Sequence, residues 1–152
     1  YIFRKVYNMS YRGRLRAELA TFTVTNDGVS TNYYTQFSER TNNITGCSVS
    51  TNTITLPQGQ YLARAVIGGT RSNQNDILNY RLELDGTLIG SNGGLDSNHK
   101  TKVDDTKAQF NITSSQGVLK LKVIEESSSS DWTIEPDYSY ILIIRSFWYD
   151  TF

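Results

Sequence analysis

The chain has 152 residues, 38% of them hydrophobic and 20% charged, which suits one domain around one core. Cations and anions balance at 15 each, so bulk charge argues for neither a nucleic-acid partner nor a membrane surface. The longest apolar run, Ile141 to Ile144, is far short of the roughly 20 residues of a spanning helix. A lone Cys47 excludes an internal disulfide framework and fits a reducing compartment during synthesis.

The chain opens on Tyr1 with no Met and no signal-peptide pattern, so it is expected to be part of a longer polypeptide. Its first 16 residues carry Arg4, Lys5, Arg12, Arg14 and Arg16 without one acid, interleaved with Tyr1, Phe3, Tyr7 and Tyr11. Such an arm, taken as 1–17, has three readings: stacking and phosphate pairing on a single strand, a clamp on an acidic apolar partner, or a tail packed on its own domain. The second and third are preferred, so no nucleic-acid partner is expected.

Helical spacing is confined to Arg14 to Leu19, a turn or two, before Thr21 to Thr25 alternates like a strand. Tyr33 to Phe37 and Cys47 to Thr55 are the next strands, with Cys47 a strand thiol. Pro57-Gln58-Gly59 is expected to reverse the chain, Pro57 fixing φ and Gly59 supplying a positive one. Gln60 to Ile67 follows, with Leu62 and Val66 on one face and Tyr61, Ala63, Ala65 and Ile67 on the other.

Leu78, Tyr80, Leu82 and Leu84 alternate with Asn79, Arg81 and Glu83 up to an Asp85-Gly86 hairpin turn. Phe110 and Ile112 mark a strand, and Gln116-Gly117 is expected to turn the chain into Leu119, Leu121 and Val123, with Lys120 and Lys122 outward. Tyr138 to Arg145 is the last strand. About nine strands with short turns and no internal repeat give an all-β sandwich or jelly roll over 18–146. Polar loops are expected at 68–76, 91–107 and 125–137.

The last strand is apolar on both faces, Tyr138, Tyr140, Leu142 and Ile144 against Ile141 and Ile143. In a two-layer domain one face meets the core, so a loop or another subunit must cover the other. The tail 147–152, with Phe147, Trp148, Tyr149 and Phe152, also asks for a partner surface.

His99 sits near Asp96, Asn98, Asp104 and Asp105. Alternating oxygens suit Ca²⁺, but the full ligand series of a calcium loop is missing and one His does not make a zinc site. No metal or cofactor is therefore expected. With one histidine, no nucleophile elbow and no phosphate loop, the chain is expected not to be an enzyme. Trp132, in a Ser-rich acidic loop, and Tyr138 after it either stack on a ligand or cover the sandwich edge.

The segment Thr53-Ile54-Thr55-Leu56-Pro57-Gln58-Gly59-Gln60-Tyr61-Leu62-Ala63-Arg64-Ala65 resembles the Leu-Pro-x-Gly-x-Tyr turn and strand of phage fibre and knob domains. Tyr80 to Gly90 is similar to that family's following hairpin, and Tyr138 to Arg145 to its final strand. The likeness runs from about Ser30 to Arg145; the ends depart from it. It implies a jelly roll like that of tumour necrosis factor and the complement globular heads, usually a homotrimer.

On that resemblance the chain is a virion-exterior structural protein, a fibre or knob domain that attaches to a host-surface glycan or protein. The alternatives are a capsid decoration or minor head-fibre protein with no receptor role, and a carbohydrate-binding module. Receptor contacts are expected at Trp132, Tyr138, Asp96, Asn98 and His99, and trimer contacts at Tyr140, Ile141, Leu142, Ile143, Ile144 and Trp148. Docking to other virion proteins is expected at Arg4, Lys5, Arg12, Arg14 and Arg16.

Overall fold

The computed structural model describes residues 13–25, 33–70, 78–95, 101–126 and 133–150. Nine strands run through them: β1 Gly13–Thr25, β2 Gln36–Asn42, β3 Ser48–Ser50, β4 Thr53–Thr70, β5 Leu78–Leu84, β6 Thr87–Leu95, β7 Thr101–Glu126, β8 Thr133–Ile134 and β9 Tyr140–Asp150, with a short 3-10 turn at Pro136–Tyr138. The strands join one antiparallel sheet in the order β2-β1-β9-β4-β7-β5-β6, and β3 and β8 also pair with β4.

Two long strands let this one sheet face itself. Pro57 opposes Gln116 and Gly59 opposes Ile112, so Gln58 lies against residues 113–115 at an irregularity shared by β4 and β7. A bulge of this kind bends a strand and shifts its alternation. Buried positions on β4 pass from Ile54 and Leu56 to Tyr61, Ala63, Ala65 and Ile67, while on β7 they pass from Ala108, Phe110 and Ile112 to Leu119, Leu121 and Val123. Both strands change parity at the same corner, so both keep their apolar residues inside as the sheet folds over. One layer is β2-β1-β9 with the later half of β4 and the first half of β7. The other is the start of β4, the second half of β7, β5 and β6.

The core follows from the register. Ile143 on β9 lies between Ala20 and Ala63, and Ile141 between Phe22 and Ala65. Alanines beside the isoleucines leave room for branched side chains in the buried cluster that also holds Leu82 and Leu121. Each fully buried Ile, Leu or Phe adds about 1.5–3 kcal/mol of transfer free energy.

Three sequence expectations change here. Arg14 to Leu19 is strand, because β1 pairs with β9 without interruption from Gly13↔Asp150 to Thr23↔Tyr140; an eleven-pair ladder overrides a short helical spacing. Residues 47–55 are a hairpin of β3 and β4 rather than one strand. Neither Pro57-Gln58-Gly59 nor Gln116-Gly117 reverses the chain; both lie within long strands. Positive φ occurs at Gly46, Gly86, Gly90 and Asp85 among the described residues, and Gly59 is not one of them. The Asp85-Gly86 hairpin is as expected, with φ of 49° and 83°, a turn with both central residues left-handed.

Candidate functional site

The outer face of the first layer is unusually apolar for a surface. Leu19, Ile144 and Leu62 are register partners on β1, β9 and β4 and form a row straight across the sheet. Leu19 is 45% exposed and Leu62 44%. Leu142 and Tyr140 continue the patch along β9, half-buried. At its margin Arg64 Nε donates to Asp105 Oδ2 at 2.7 Å, an exposed ion pair. A recess of about 290 Å³ opens beside the row, lined by Ala17, Glu18, Leu19 and Asn43.

One end of the domain presents an anchored tyrosine. Tyr138 is 66% exposed, yet its backbone is fixed on both sides. The buried Ser139 hydroxyl accepts from the Gly68 amide at 2.9 Å and donates to the Gly68 carbonyl at 3.1 Å. The Val24 amide donates to Ser139 O, and the Glu135 amide to Gly68 O. Gly68 is required by proximity, since a Cβ there would lie 2.7 Å from the Tyr138 Cβ. An aromatic ring held out on such a mount costs little further entropy to engage a ligand. Tyr138 is thus exposed at this end of the domain.

The ends of the domain differ. β4 ends at Thr70 opposite Thr101 and Thr133, and Leu78 pairs with Leu95 and Glu126; Gly94 of β6 donates to Asp104 of β7, which ties these strand ends together. Tyr138 belongs to this end. Gly13 and Asp150 pair at the opposite end of the β1–β9 ladder.

No family model and no curated protein matches the sequence. Solved structures do match the architecture. Murine APRIL at pH 5.0 superposes with a TM-score of 0.65 at 8% identity, covering 86% of this chain and 99% of that one. Eiger TNF from S. frugiperda gives 0.61 at 14%, covering 86% and 93%. The globular domain of the zebrafish complement 1qA protein gives 0.55 at 11%, covering 86% and 95%. The fold is a jelly roll of the TNF and C1q type. The likeness lies in the architecture, and the residues that give this jelly roll its surfaces are its own.

Within the jelly roll, the expected contact residues separate. Ile141 and Ile143 are fully buried and leave the set of subunit-contact candidates, because their face of β9 is the core face. Tyr140, Leu142 and Ile144 remain on the outer face, and Trp148 lies in the β9 ladder opposite Leu15. Arg14 and Arg16 lie in β1, so the arm boundary expected at 17 falls inside a strand. Arg4, Lys5, Arg12, Asp96, Asn98, His99 and Trp132 lie outside the described residues. Among the described residues no three His, Cys, Asp or Glu side chains gather as a metal site, and no helix is long and apolar enough to cross a membrane.

Leu19 and Leu62 were missed as surface candidates. Leu62 carried a signal, an apolar residue out of phase with Tyr61 and Ala63, whereas Leu19 was hidden by its helical spacing.

Proposed function

We propose that this jelly roll assembles as a homotrimer through the outer face of β1, β9 and β4 and serves as the fibre or knob domain of a bacteriophage virion. In that role it attaches the particle to a host-surface glycan or protein. The observation that carries the assembly is the row Leu19–Ile144–Leu62, apolar side chains on three adjacent strands with both leucines exposed and Ile144 half-buried between them. A monomer gains nothing from that row, while each leucine removed from water adds about 1–2 kcal/mol to association. The virion role rests on the Leu56-Pro57-Gln58-Gly59-Gln60-Tyr61 resemblance. It gains support from the polarity of the domain, with the Gly13–Asp150 pair at one end and the anchored Tyr138 at the other.

That polarity serves a capsid decoration protein equally well at its docking end, so decoration without a receptor role is the second reading. Sedimentation equilibrium at micromolar concentration should give three-chain mass for the wild type. Leu62→Lys or Ile144→Lys should give monomer with an unchanged circular dichroism spectrum. A well-folded wild-type monomer rules out the trimer. Gold-labelled antibody on purified particles should mark fibre tips; marking of the capsid lattice favours decoration, and unmarked particles remove the virion role.

A further inference from the structure

The outer face of the second layer has a different character. Tyr34 bridges to Lys122 of β7, Lys122 is the register partner of Arg81 on β5, and Lys120 is that of Glu83. Lys120 Nζ stands 4.6 Å and Lys122 Nζ 5.6 Å from the Tyr34 ring centroid. The Tyr34 hydroxyl reaches across β7 and donates to Glu83, 3.0 Å from Oε2 and 3.1 Å from Oε1. Lys122 Nζ lies 3.8 Å from the same Oε2.

Glu83 is thereby consumed. It is 4% exposed and its carboxylate is occupied by one hydroxyl and one ammonium. Among the described residues, Arg81, Lys120 and Lys122 share this part of the face with that single satisfied anion, while Glu125 and Glu126 follow Lys122 by three and four residues at the end of β7. Lys120 meets the Tyr34 ring and no carboxylate among the described residues. Arg81 Nε is fixed on the Ile89 carbonyl at 3.2 Å. The cations are therefore held in place before any ligand arrives, which lowers the ordering cost of binding.

We propose that this face binds an anionic polysaccharide, with Lys120, Lys122 and Arg81 meeting its charged groups and the Tyr34 ring lining the contact. Residues two apart on a strand stand roughly 7 Å apart and strand neighbours about 5 Å apart. A polymer with an anionic group on successive sugars reaches two or three of these cations at once, whereas an isolated anion meets one; the linked contacts multiply the affinity. The surface is separate from the Leu19–Ile144–Leu62 row, so the inference stands whether or not the chain is a trimer.

The test is a titration of the whole chain with fluorescein-labelled dextran sulfate, beside unsubstituted dextran of the same length. Dextran sulfate should bind and weaken as salt rises, while dextran should not bind. Lys120→Glu should lower the affinity about tenfold or more, a loss of about 1.4 kcal/mol. Arg40→Glu, an equal charge change at an exposed position on β2, should leave it within about twofold. Equal losses in both variants, an unchanged Lys120→Glu, or binding of uncharged dextran would overturn the proposal. So would a single-stranded oligonucleotide that displaces dextran sulfate at lower charge concentration. Circular dichroism and sedimentation on each variant keep a folding or assembly defect apart from a binding one.

Discussion

Arg145 Nη2 donates to the Gln58 carbonyl at 2.6 Å, at the corner where β4 and β7 pass from one layer to the other. The same guanidinium reaches Glu18 on β1 at 3.4 Å and lies above Gly59, where an added Cβ would come within 2.7 Å of Arg145 Nε. One side chain thus ties the corner to the β1–β9 ladder, and Gly59 exists to let it pass rather than to turn the chain.

This makes the two positions energetically coupled. Gly59→Ala should destabilise the domain by about 1–3 kcal/mol through overpacking. Arg145→Ala should cost a comparable amount through loss of a charge-assisted bond. The double variant should cost clearly less than the two single costs together, because the arginine that the new methyl strikes is gone. Urea unfolding of the four proteins gives the coupling directly. Additive losses would show that Gly59 is required for another reason.

Glycines 86 and 90 separate conformational strain from steric conflict. Both have positive φ, 83° and 71°, but a Cβ on Gly86 meets nothing within 4 Å while one on Gly90 would sit 2.1 Å from the Lys107 carbonyl oxygen. Gly86→Ala should therefore cost only the left-handed penalty, about 1–2 kcal/mol. Gly90→Ala adds displacement of a paired backbone and should cost more than about 4 kcal/mol or abolish folding. Thermal unfolding of both variants checks the order; equal losses would refute the steric account.

The contrast explains which parts of the fold were legible in the sequence. Alternation in 60–67, 78–84 and 119–123 was readable because side-chain period is local, and Asp85-Gly86 was readable because its turn type demands those residues. The corner was not. Pro57-Gln58-Gly59 suits a reversal and a bulge equally, and only the register with Ile112 and Gln116 decides between them. The two-faced character of Ile141 to Ile144 was plain, but the choice of inner face depends on Ala20, Ala63 and Ala65, which lie far away in sequence and adjacent in the sheet. The Tyr34–Glu83 contact spans 49 residues and left no local trace.

The corner also contributes to the alkaline pH dependence of the domain. Burial, opposed by Arg145, pushes the Tyr61 hydroxyl up from 10.0 to about 12, while it donates to the Pro57 carbonyl at 2.7 Å. Burial, with Glu39 adding to it and a hydrogen bond from Asn42 opposing it, pushes the Cys47 thiol up from 9.0 to about 11. Both groups are neutral when protonated, so the folded chain holds these protons more tightly than the unfolded chain. Their stabilisation is complete below the unfolded values and is lost as pH rises, from 9.0 towards 11 for Cys47 and from 10.0 towards 12 for Tyr61. Urea midpoints measured from pH 7 to 12 should fall along this alkaline limb. Cys47→Ala should flatten its beginning. Tyr61→Phe should be less stable at pH 7 by about 1 kcal/mol, for the lost hydrogen bond, yet show a shallower fall above pH 10. Slopes parallel to wild type in both variants would mean that neither group governs the limb.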